Sequence, residues 1–197
     1  MSMSRFATSL ALLVSVVCPL TGQNPTAPVM PATTQPLPPA AKLEGFRPSA
    51  GAALILGYTT IGNTRGVSVD ARQVRSGVSN EARGILVHVA SGYRDERSFV
   101  DVDEIAELLR GIDALLGVSG NPTDLDQFEV RYTTKGDLEV TAFSHESLFD
   151  SKKQTIDYTV SAGRLLQATA SLDKAGMVKF KSLVEQAQAK LAALSAK

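Results

Sequence analysis

Apolar residues recur at helical spacing twice along the chain, each time directly after a stretch that alternates like a strand. From Leu172 to Leu194 the positions Met177, Phe180, Leu183, Val184, Ala187, Leu191 and Leu194 share one side of a helix. Ile105, Leu108, Leu109, Ile112, Leu115 and Leu116 do the same in the first half. Each stripe is wide enough to need a sheet as cover. Upstream of the first helix, Leu54, Leu56 and Tyr58 alternate within the apolar run from Ala52 to Thr60, and Val67, Val69 and Ala71 resume after the Gly62 to Gly66 turn cluster. Arg75 to Arg83 is polar and reads as loop. Ile85, Val87 and Val89 alternate with Leu86, His88 and Ala90, which predicts a central strand, and Tyr93 to Val100 gives a fourth.

The second half permits a sharper prediction. Phe128, Val130 and Tyr132 face Leu138, Val140 and Ala142 across a turn, and a two-residue loop would mix the two faces. A three-residue loop, Thr134 to Gly136 with Gly136 left-handed, instead pairs Tyr132 with Leu138, Val130 with Val140 and Phe128 with Ala142. The same arithmetic at Ser161 to Gly163 pairs Tyr158 with Leu166 and Ile156 with Ala168. A β-branched residue at either glycine is expected to cost about 1 to 2 kcal/mol. His145 to Lys153 reads as a polar connection around Leu148 and Phe149.

The two halves share a plan. Val89-Ala90-Ser91-Gly92 stands where Val160-Ser161-Ala162-Gly163 stands later, Ser98 and Thr169 each lie six residues beyond the glycine, and Asp103 and Asp173 precede the helices. The prediction is an α+β fold: a duplicated unit of four antiparallel strands followed by one helix, with halves at about 49–117 and 126–197. Periodicity leaves two arrangements open. Each helix covers a face of its own sheet, or the sheets enclose both helices. Asp101 with Glu104 three residues on has the spacing of a capping box.

Composition changes the picture mainly at the N-terminus. Residues 1–22 have the build of a secretory signal, with Arg5, the apolar run Leu10 to Val17, then Pro19 and small residues, against an uncleaved anchor as the alternative. Cys18 is the place where a lipid-carrying cysteine would stand, but Val17 and Pro19 depart from that pattern. Cleavage after Gly22 leaves no cysteine, so disulfides and thiolate chemistry drop out of the mature chain. Residues 23–48 follow as a proline-rich disordered tether with Pro25, Pro28, Pro31, Pro36, Pro38 and Pro39; Pro36 and Pro39 satisfy a loose P-x-x-P pattern. These features place the protein outside the cytoplasm, in a periplasm or beyond the cell, with no membrane span after the signal.

Lys and Arg balance Asp and Glu at 20 each, so no global field favours an anionic partner. Arg65, Arg72, Arg75, Arg83, Arg94 and Arg97, with Tyr58 and Tyr93, are the residues a nucleic-acid interface would use. The search for catalysis is mostly negative: HExxH, paired CxxC, Walker A and nucleophile-elbow patterns are all missing from the sequence. His88 falls within a strand and His145 in a loop, and neither stands in a metal-ligand spacing. Asp95, Glu96 and Asp101 near His88 are the candidates a hydrolase would have to use. Asp101, Asp103 and Glu104 lack the spaced ligands of a calcium loop and read as helix-start acids. The reading names no catalytic, metal or cofactor residue.

The tandem order of four strands and a helix over about residues 49–194 resembles in outline the Whirly and PUR single-strand-binding proteins. That resemblance would imply a sheet that binds unpaired nucleic acid; no motif residue matches, so it assigns no binding residue. The segments Ser98-Phe99-Val100-Asp101-Val102-Asp103-Glu104-Ile105 and Tyr132-Thr133-Thr134-Lys135-Gly136-Asp137-Leu138-Glu139-Val140 resemble a family of exported bacterial proteins of uncharacterised function, which supports the fold unit and supplies no activity. The functional expectation is an exported, non-enzymatic domain that binds a macromolecule or itself in the cell envelope. A small-ligand or lipid-binding module is the alternative, ahead of a hydrolase or a single-strand binder.

Overall fold

The computed structural model describes residues 41–48, 50–77, 80–146 and 154–195. The expected signal segment, Cys18, most of the proline-rich segment, Leu148 and Phe149 lie outside the described residues. The chain forms β1 (Leu54–Thr64), β2 (Val67–Ser76), β3 (Asn80–Ser91), β4 (Arg94–Asp101) and α1 (Ile105–Gly117), then β5 (Glu129–Thr133), β6 (Glu139–Glu146), β7 (Gln154–Ala162), β8 (Ala168–Leu172) and α2 (Lys174–Ser195). Two four-stranded sheets have the orders β1-β2-β3-β4 and β5-β6-β7-β8, and every neighbouring pair is antiparallel. The fold is α+β, a duplicated unit of four antiparallel strands followed by one helix, as the patterns predict.

The helical stripes are buried as expected. Ile105, Leu108, Ile112 and Leu115 of α1 and Met177, Phe180, Leu183, Val184, Ala187 and Leu191 of α2 are all buried. Each large side chain stabilises the fold by about 1.5–3 kcal/mol through removal from water. Their partners are not those of the simplest expectation. α1 lies chiefly against β5 and β6 of the second sheet, whereas α2 lies against β1, β2 and β3 of the first. The backbone at Gly111 in α1 is so close to Tyr132 that an added Cβ would stand 2.6 Å from the ring, and one at Gly62 in β1 would stand 2.8 Å from Leu183. Each helix thus covers the other repeat's sheet. One continuous core includes both sheets and both helices, and Lys181 of α2 bridges Asp113 of α1 at 2.6 Å.

Several local expectations are corrected. The polar stretch Arg75 to Arg83 is not a loop: β2 runs to Ser76 and β3 starts at Asn80. Its polarity is spent on cross-strand pairing, because the Glu81 carboxylate accepts from Gln73 Nε2 at 2.9 Å, from Arg75 Nε at 2.8 Å and from Arg83. The first turn is tighter than the cluster Gly62 to Gly66 suggests. Arg65 and Gly66 alone form it, at φ 42° and 84°, the two-positive-φ geometry that suits the strand twist. Gly62 sits inside β1 beside a register shift.

At the β5–β6 hairpin the Thr134 N–H donates to the Leu138 carbonyl and closes a three-residue turn, Lys135 to Asp137, with a left-handed third position, one residue later than expected. Tyr132 pairs with Val140 and Val130 with Ala142, and Asp137, not Gly136, is left-handed at φ 58°. Gly136 is needed for another reason: a Cβ there would lie 1.9 Å from the Phe99 carbonyl oxygen. At β7–β8 the expected pairing is wrong by more. Tyr158 pairs with Leu172 and Ala162 with Ala168, and the loop begins rather than ends with Gly163, at φ 104°. Strand pairing continues because Ala162 is buried and Ser161 Oγ bonds Thr169 Oγ1 at 2.9 Å, while Leu166 is left 62% exposed in the loop.

The two helix starts also differ. Asp173 Oδ1 accepts from the Gly176 N–H at 2.7 Å, a side-chain cap on α2. Asp101 and Glu104 form no capping box at α1. Asp101 is the last residue of β4, and its carboxylate accepts the backbone N–H groups of Lys42 at 2.8 Å and Leu43 at 3.0 Å. Glu104 Oε1 accepts the Lys135 N–H at 2.8 Å, tying the start of α1 to the β5–β6 turn. The expected tether, drawn through residue 48, therefore differs from the structure at its end: Ala41 and Leu43 are buried, and residues 41–45 form a turn held by Asp101.

Candidate functional site

The most unusual surface is the free edge of the first sheet. β1 is an eleven-residue strand, LILGYTTIGNT, without a charged residue or a proline. Its odd and even positions face opposite sides of the sheet, yet both sides are apolar at its start. Leu54 is 53% exposed, Ile55 62%, Leu56 49% and Tyr58 67%. Leu54, Leu56 and Tyr58 lie on the face with Val74 and Arg72, and the Arg72 guanidinium sits 5.7 Å from the Tyr58 ring centroid. Ile55, Gly57 and Thr59 lie on the α2 side. There a cleft of about 200 Å³ opens between the strand and the end of α2, with Thr59, Ala71, Lys190, Leu191 and Leu194 among its walls. One side of β1 bonds to β2; the other is paired with no strand among the described residues.

The residues singled out by sequence distribute as follows. His88 does meet a carboxylate: its Nε2 contacts Asp95, and its Nδ1 lies 3.3 Å from Ser68 Oγ, the cross-strand neighbour on β2. Hydroxyl, imidazole and carboxylate therefore form a row, but on an open sheet. Ser68 is the second residue of β2 and is paired on both sides, to Asn63 and to His88, so the backbone around it is engaged in ladders and is not arranged as a loop of N–H groups converging on a developing oxyanion. Glu96 points to the opposite face and lines a cleft of about 390 Å³ with Glu44, Arg97, Asp137, Arg164 and Leu165. Asp101 is occupied by the backbone of residues 42 and 43. His145 is half-exposed, 3.7 Å from Asp157. Among the described residues no group of three His, Cys, Asp or Glu side chains could hold a metal ion, and no helix is long and apolar enough to cross a membrane.

The arginines of the first sheet are largely engaged. Arg65 pairs with Asp173 at 2.7 Å, Arg72 with Asp70 at 3.3 Å, and Arg75 and Arg83 with Glu81. Arg94 donates to the Gln167 carbonyl at 3.0 Å. These contacts also hold Glu81 below the ordinary carboxylate range, through the Gln73 amide first and then the two guanidinium groups. The Lys42 ammonium does the same for Asp103. Sequence reasoning placed Leu54, Leu56 and Tyr58 in a strand and gave them an alternating face. It passed over Ile55, whose presence between two leucines breaks the polar alternation of a one-sided strand and was the available signal.

No family model, curated protein or solved structure matches the chain.

Proposed function

We propose that this chain is an exported, non-enzymatic interaction domain of the cell envelope, and that β1 is the surface through which it engages another macromolecule. The observation that carries the reading is a long, uncharged edge strand whose Leu54, Ile55, Leu56 and Tyr58 are about half or more exposed, on both faces. Apolar surface grouped in this way marks association sites more often than chance exposure does. The clefts support a ligand module less well: the one beside β1 holds about 200 Å³, below the usual range for small-molecule sites, roughly 300–1,000 Å³, and the larger one is walled by charged residues and open loops. The Ser68–His88–Asp95 row lies on an open strand face, with Ser68 and His88 paired across β2 and β3.

The test is capture from envelope extract with the full chain and with Ile55→Lys and Leu56→Lys as baits. The reading expects a macromolecule, a further copy of the chain included, retained by the parent and lost by both variants. Equal retention by all three, or a co-purified small molecule with no retained macromolecule, contradicts it. Sequencing the N-terminus of the secreted product tests export, with a start near Gln23 expected.

A further inference from the structure

Within that reading of β1, we propose that its partner is a second copy of this chain. The two β1 strands would pair antiparallel about a two-fold axis at Gly57, making one continuous eight-stranded sheet.

Comparison of the four sheet edges singles this strand out. β4 carries Arg94, Asp95, Glu96 and Arg97. β5 has five residues, with Glu129 and Arg131 among them. β8 also has five and lies against β3. Short length, charge and cover are the devices by which sheet edges avoid pairing with other chains. β1 has none of them over its first half.

The register follows from the strand itself. Its regular ladder with β2 runs from Leu54 to Thr60 and is broken by the shift between Thr60 and Gly62. The straight portion spans about 23 Å, and its midpoint is Gly57. A two-fold axis there sets Leu56 opposite Tyr58 of the second copy, an aliphatic–aromatic cross-strand pair of the stabilising kind. It also sets Ile55 opposite Thr59, a residue lining the cleft with Leu191 and Leu194, so that an apolar side chain lies beside a recess that those two leucines help to line. Between the two strands no like charges meet, because β1 has no charge. The pairing is self-complementary, as a two-fold interface requires.

The area is adequate. At the exposures given above, Leu54, Ile55, Leu56 and Tyr58 offer on the order of 400 Å² per copy, about half of the ~800 Å² each partner contributes to a standard interface. The backbone edge, Thr59, Thr60 and the end of α2 border the same surface. At Gly57 a Cβ would be 3.8 Å from the nearest atom, the Gln73 carbonyl oxygen, so a side chain fits there.

Two measurements on the full chain test the inference together. Sedimentation equilibrium should show a dimer for the parent and a dissociation constant raised roughly 100-fold or more by Leu56→Lys or Ile55→Lys, since each lysine would be buried without a counter-charge. At concentrations below the parent's dissociation constant their melting temperatures should match the parent's, because both positions are exposed in the single chain. In a Cys18→Ser background, Gly57→Cys should form a disulfide-linked dimer on mild oxidation, and Glu129→Cys on the other edge should not. A parent that stays monomeric at its highest soluble concentration, variants that dimerise as tightly as the parent, or the absence of the Gly57→Cys cross-link overturns the proposal. Loss of a different captured macromolecule in the β1 variants of a monomeric parent would overturn it too, while leaving β1 as the interaction surface. Unchanged capture and unchanged assembly in those variants would remove both.

Discussion

β1 and β5 hold the same place in the two repeats, each the first strand and a free edge of its sheet, and they are opposites in surface. β5 is five residues long, and Arg131 binds Glu129 and reaches Glu139 at 3.1 Å on the neighbouring strand. α1 covers its other face, with Gly111 against Tyr132. β1 is more than twice as long, has no charge, and receives Leu183 of α2 closely at Gly62. Its first half is left bare. A position that one repeat closes with charge and brevity is open in the other, so the open edge is a property of this strand and not of the architecture.

The exchange of helices sets the largest expected effect. A chain of residues 41–117 retains all of β1 to β4 and α1 but loses the helix that covers the first sheet. Such a fragment should show no cooperative unfolding transition. In the full chain Phe180→Ala should cost about 3–5 kcal/mol by denaturant unfolding, since Phe180 is fully buried. A fragment 41–117 that melts cooperatively would mean that the first sheet does not depend on the second repeat's helix.

Next in size is Gly136→Ala, which should destabilise by about 2–3 kcal/mol, as overpacking against fixed backbone does. The close approach to Phe99 makes alanine nearly as damaging as valine. Asp137→Gly, at the left-handed position, should be neutral or slightly stabilising. If Gly136→Ala melts with the parent, the second repeat is not docked on β4 through this turn.

The smallest effect concerns Glu81, which fastens β2 to β3 behind the β1 edge. Its carboxyl is held low in the folded chain, so its contribution is present above the ordinary carboxylate value of about 4.3 and is lost as pH falls through the lower folded value. Glu81→Gln should therefore be less stable than the parent by at most about 1 kcal/mol near neutrality, because such pairs are partly screened. The gap should close as the pH drops below about 4. A gap that widens in acid would contradict the assigned pairing.

Helices and strand content were legible in the sequence because stripes such as Ile105, Leu108, Ile112 and Phe180, Leu183, Ala187 have one physical explanation. Register was not. Moving the β5–β6 pairing by two residues keeps every side chain on its face, so apolarity cannot distinguish Leu138 from Val140 opposite Tyr132. Gly136 was drawn to the left-handed position by its conformational freedom, when a contact with Phe99, 37 residues earlier by position, had already claimed it. Leu166 drew the β7–β8 pairing inward for its apolarity and is nevertheless exposed. Which helix covers which sheet was beyond local pattern, as both stripes are alike. The β1 edge misled in the same way: Leu54, Leu56 and Tyr58 have the spacing of a core-facing strand, yet they lie on the sheet face turned away from α2 and stay in water. At the candidate site the sequence grouped His88 with Asp95 correctly and with Glu96 and Asp101 incorrectly, since Glu96 faces the other side and Asp101 holds residues 42 and 43.

The most direct test of the difference between the two edges is amide hydrogen exchange of the full chain at protein concentrations below and above its association midpoint. The account predicts that protection of the backbone amides between Leu54 and Thr60 rises with concentration while that of Glu129 to Thr133 stays constant. Protection in β1 that is independent of concentration, or a rise confined to β5, would contradict it.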